Sequence, residues 1–126
     1  MQDEQTPSEL IKAVADFLRN DIAPGISGHD AFKLRVAINA LDLVARQLTL
    51  QAGSEAAEAG RLATLLGLQA PLLELNRALA ERIANGKADL QTPGLAAHLW
   101  QTTLDKLAVD QPTYASYRSE LTKGPP

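Results

Sequence analysis

Apolar residues recur at helical spacing along nearly the whole chain, and the residues that start and stop helices divide it into five main segments. The first opens on Thr6, Pro7, Ser8 and Glu9, a capping box with proline at the first helical position, where its missing N–H costs nothing. Leu10, Ile11, Val14, Phe17, Leu18 and Ile22 then fall on one side, with Lys12, Asp16, Arg19 and Asn20 opposite, and Pro24 and Gly25 end the run. A turn from Gly28 to Asp30 leads into a second helix, capped by Asp30 and reaching about Gln51. Here the pattern changes. From Phe32 to Leu50 apolar side chains cover nearly the whole circumference, broken mainly by a narrow polar line of Arg35, Asn39, Asp42 and Arg46. A helix apolar on most sides is buried on most sides, so this one is expected at the centre, with Val36 to Val44 wrapped by neighbours.

Gly53 and Ser54 predict the start of a third helix, stopped by Gly67, whose Ala56, Ala59, Gly60 and Ala63 allow a neighbour to approach closely. A fourth runs from about Pro71 to Asn85, closed by Gly86, with Leu72, Leu75, Leu79 and Ile83 inward. Thr92 and Pro93 repeat the cap signature for a fifth, which turns Ala96, Leu99, Trp100, Thr103, Leu104 and Leu107 to the core. Past Pro112, residues Tyr114 to Leu121 predict a short C-terminal helix. The expected fold is all-α: one helical-bundle domain over residues 1–126, with residues 1–6 and 122–126 as flexible tails.

Composition narrows the function classes. The net charge is −3 and the basic residues are scattered, which argues against nucleic acid as a partner. With no cysteine, disulfides, thiolate catalysis and Cys-based metal sites are excluded. The polar, acidic N-terminus carries no signal-like apolar run, and no window approaches the ~20 apolar residues of a membrane span, so a cytoplasmic protein is expected. Gly-rich phosphate loops, a nucleophile elbow and an EF-hand are all missing, and neither a catalytic set nor a cofactor is expected.

Five residues are candidates for binding a ligand. Arg35, Asn39, Asp42 and Arg46 are neighbours on one helix face and could hold an anion, or form a solvated stripe. Asn76 falls inside an apolar arc and needs a hydrogen-bond partner, for which Asn39 or Arg35 are natural if the fourth helix packs on the second; such a contact would either fix helix register or form part of a ligand pocket. His98 is placed on the outer face of the fifth helix as a solvated histidine, and Trp100 and Phe17 read as core aromatics. Tyr114 and Tyr117 suit a partner interface.

Three stretches carry a likeness: Phe32 to Arg46, the run Leu75-Asn76-Arg77-Ala78-Leu79-Ala80-Glu81-Arg82-Ile83, and Lys106 to Tyr114. Together they resemble a bacterial family of small helical proteins described only as a domain of unknown function. Its members are often encoded beside, or joined to, aminoglycoside-phosphotransferase-like kinases and acyl-CoA dehydrogenases. The resemblance implies an accessory role with such a kinase or dehydrogenase as partner. The apolar second helix adds self-association as a homo-oligomer, and the residues suggest an anion or acyl-CoA-type ligand as the alternative.

Overall fold

Thr6 caps the first helix, α1 (Pro7–Phe17), reciprocally: the Glu9 N–H donates to Thr6 Oγ1 and the Thr6 N–H to Glu9 Oε2, each at 3.2 Å. The structure, a computed structural model, describes residues 4–123. α1 loosens into a π-helical turn at Leu18–Ile22 and a 3-10 turn at Ala23–Gly25, where Pro24 ends it. There follow α2 (Gly28–Leu66), α3 (Leu72–Ala84), α4 (Leu95–Asp110) and α5 (Ala115–Lys123). The protein is all-α, with five α-helices and no strand among the described residues.

The five differ in composition from the expected set. The second and third segments are one 39-residue helix, which starts at Gly28 rather than after Asp30. Gly53 breaks nothing, because a lone glycine inside a helix costs only about 1 kcal/mol and Ala52, Glu55, Ala56 and Ala57 beside it favour the helix. The short C-terminal helix is the fifth, and it takes in Thr122 and Lys123 from the expected tail; residues 1–3 and 124–126 lie outside the described residues.

By proximity the chain gathers into two compact units, residues 1–51 and 52–126. In the first, α1 lies antiparallel to the first part of α2, so that Ser8 and Glu9 share a groove with Thr49 and Leu50 while Arg19 reaches Asp42. Ala15, Ile38 and Ala45 are buried there, with Ile11, Leu18, Leu34 and Leu41 half-buried around them. This overturns the expectation that Val36 to Val44 is wrapped: Val36 is 52% exposed, and Phe32, Val44 and Phe17 are open too. One helix laid along α2 covers only one of its sides.

The second unit has a leucine core of Leu62 and Leu66 from α2, Leu75 and Leu79 from α3 and Leu95 from α4, with Ala88 from the connection between α3 and α4. α2 stops at Gly67 in the left-handed conformation (φ 66°), with the Leu68 N–H donating back to the Ala63 carbonyl as in a Schellman end. The Arg82 guanidinium takes the Leu66 carbonyl at 3.1 Å. A Cβ at Gly60 would meet nothing within 4 Å, so no neighbour approaches closely at that position, while Ala59 packs against the leucine core. α4 begins two residues later than Thr92 and Pro93 suggested: the Thr92 hydroxyl instead accepts the Asp89 N–H, and Gly94 (φ 85°) is the residue before the helix.

Candidate functional site

The polar line on α2 separates into two environments. Arg35 and Asn39 are exposed. Asp42 and Arg46 line a groove of the first unit together with Ser8, Glu9, Lys12, Asp16, Arg19 and Thr49. Asp42 pairs with Arg19, whose other terminal nitrogen holds Asp16 at 2.9 Å. Three cations (Lys12, Arg19, Arg46) thus face three carboxylates (Glu9, Asp16, Asp42), a balance that gives the groove no strong preference for an anion.

Asn76 is half-buried, and its Nδ2–H donates to Glu58 Oε1 at 3.3 Å within the second unit; this carboxylate takes the place expected for Asn39 or Arg35.

His98 corrects the sequence reading most sharply, for it is 3% exposed. Leu95, His98, Thr102 and Asp105, at spacings of three, four and three, form the buried or half-buried stripe of α4. Against them α2 sets Arg61: its Nε–H donates to His98 Nδ1 at 3.0 Å, one terminal nitrogen donates to Thr102 Oγ1 at 3.2 Å, and Asp105 stands 3.9 Å away. Because Nδ1 accepts, the imidazole proton sits on Nε2 and the ring is neutral. Burial pushes the pKa of His98 below 6.5, Arg61 lowers it further, and Glu58 opposes them. Of the stripe expected inside, Leu104 and Leu107 are half-buried, while Ala96, Leu99 and Thr103 are exposed and Trp100 is 42% exposed. Arg61 was missed because it stands beside Leu62 and Leu65 on a helix that reads as apolar. No signal within α4 revealed the stripe, because Leu95 is its one apolar member and the apolar periodicity of α4 favours Leu99 and Trp100.

The other surface feature lies on the first unit. Its groove marks the polar side of the α1–α2 hairpin. Helical geometry puts Leu10, Val14 and Phe17 of α1 and Ala37, Val44 and Leu48 of α2 on the opposite side, all exposed. Asp42 and Arg46, the only charges between Val36 and Leu50, both belong to the groove. Tyr114 is exposed and Tyr117 half-buried at the start of α5. Among the described residues no cluster of His, Asp and Glu could hold a metal ion, and no helix is long and apolar enough to cross a membrane.

Residues 24–114 match the model of a family described as Domain of unknown function (DUF6285). No curated protein and no solved structure matches the chain.

Proposed function

We propose a role in protein–protein interaction, and not a reaction of its own, for this chain, which belongs to the DUF6285 family. The observation that supports the role is the open apolar side of the first unit, where Leu10, Val14, Phe17, Val44 and Leu48 each expose a large hydrophobic side chain. A hairpin with paired charges on one side and none between Val36 and Leu50 on the other is built like half of a helical bundle. In this reading the chain is a bacterial, cytoplasmic accessory protein. Its cellular partner is a phosphotransferase-like kinase or an acyl-CoA dehydrogenase, as the family resemblance implies. Tyr114 and Tyr117 add a second contact area on the other unit.

Copurification of the full chain with such a kinase or dehydrogenase encoded beside it tests the reading. Val14→Glu and Val44→Glu should abolish the complex, whether the partner meets this face or a dimer formed through it, while helicity by circular dichroism stays unchanged. A complex indifferent to both substitutions overturns the proposed face.

The alternative, an anion or acyl-CoA-type ligand held in the groove of Asp42 and Arg46, draws less support because the charges around Arg46 cancel. A ligand at about 100 times its Kd adds roughly 2.7 kcal/mol of stability, so melts that rise with phosphate or acyl-CoA would favour it and flat melts would remove it.

A further inference from the structure

We infer that the apolar side of the α1–α2 hairpin is occupied by a second copy of the same hairpin, giving a two-fold dimer whose interface is a four-helix bundle. The inference rests on the interaction role proposed above and names the occupant. The first argument is area. Five large side chains, each about half exposed, together with the exposed Ala37, present on the order of 400–500 Å² of apolar surface, within the range of a monomer's largest patch. Two such faces brought together remove roughly 800–1,000 Å² from water, the size of a small, reversible interface.

The second argument is chemical complementarity. A partner recognised by charge would need charges on this side to meet its own, and between Val36 and Leu50 the exposed arc of α2 has none. What fits a face with Leu10, Val14 and Phe17 at i, i+4 and i+7 of α1 beside Ala37, Val44 and Leu48 of α2 is another such face, and the hairpin itself supplies it under a two-fold axis. A membrane surface fits less well. Helices that lie on bilayers present a polar face rich in Lys and Arg, whereas this one balances Lys12, Arg19 and Arg46 against Glu9, Asp16 and Asp42.

Sedimentation equilibrium of the full chain, with Val14→Glu and Val44→Glu variants, tests the proposal. The wild type should have twice the 13.5 kDa mass of the chain. Each glutamate should weaken association roughly 100-fold or more, the effect of an uncompensated charge in an apolar interface. Should a glutamate variant also unfold, spin labels give an independent reading, because the chain has no cysteine of its own. A nitroxide on Ala37→Cys should show intermolecular dipolar broadening, and one on Lys12→Cys, in the groove, should show none. A dimer with broadening only at Lys12→Cys uses the wrong face and overturns both the dimer and the interaction role built on this face. A strict monomer that still binds a kinase or dehydrogenase through Val14 and Val44 overturns the second copy alone, as does a monomer that sediments with anionic vesicles.

Discussion

Buried beside a guanidinium, His98 can accept Arg61's hydrogen bond only while neutral. Its native pKa lies below 6.5, held there by burial and then by Arg61, so the unfolded chain takes up a proton first as pH falls. The contribution of His98 to stability is therefore full above pH 6.5 and declines as the pH drops from there to the lower native value. Urea titrations followed by the fluorescence of Trp100, the single tryptophan, should show this decline, and His98→Gln should remove it. A wild-type profile flat across that window would mean that the ring is solvated. A second residue-scale test uses Gly94, whose φ of 85° strains any residue with a Cβ, and whose Cβ would meet Leu65 Cδ2 at 3.1 Å. Gly94→Ala should destabilise by roughly 1–2 kcal/mol. Leu62→Ala, at a fully buried site, should cost ~2–5 kcal/mol.

At the scale of elements, continuity of α2 through Gly53 is the feature with the clearest test. Gly53 is exposed, and a Cβ there would meet nothing within 4 Å, so Gly53→Ala should raise stability by about 1 kcal/mol in chemical denaturation. No gain would indicate a turn at Gly53 and Ser54, as the glycine first suggested. Helix ends fixed by local chemistry were legible in the sequence: the Thr6 to Glu9 box, the Gly67 stop and the Gly86 close all stand where residue type put them. Two kinds of feature were not. Whether a lone glycine stops a helix depends on its neighbours, and the Thr92–Pro93 pair made a turn because Asp89 offered Thr92 a backbone N–H. The rotation of α4 was hidden as well, since it is decided by Arg61, far away in the chain, and a helical wheel of α4 alone favours Leu99 and Trp100. Of the candidate site, the unusual apolarity of residues 32–50 was visible in the sequence, while the meaning given to it, burial within one chain, was not what the fold made of it.

For the whole molecule, that apolarity connects fold to function. α2 turns one side to α1 and leaves another open, and the hydrophobic effect favours covering such a surface. Whether it is covered in solution can be measured side chain by side chain. Carbene footprinting of the purified protein should find Val14, Phe17 and Val44 protected well beyond their exposure in the single chain, with Leu73 and Leu90, 63% and 75% exposed, labelled freely. Labelling of Val14, Phe17 and Val44 in proportion to their single-chain exposure, at concentrations where the protein is natively folded, would contradict an occupied face.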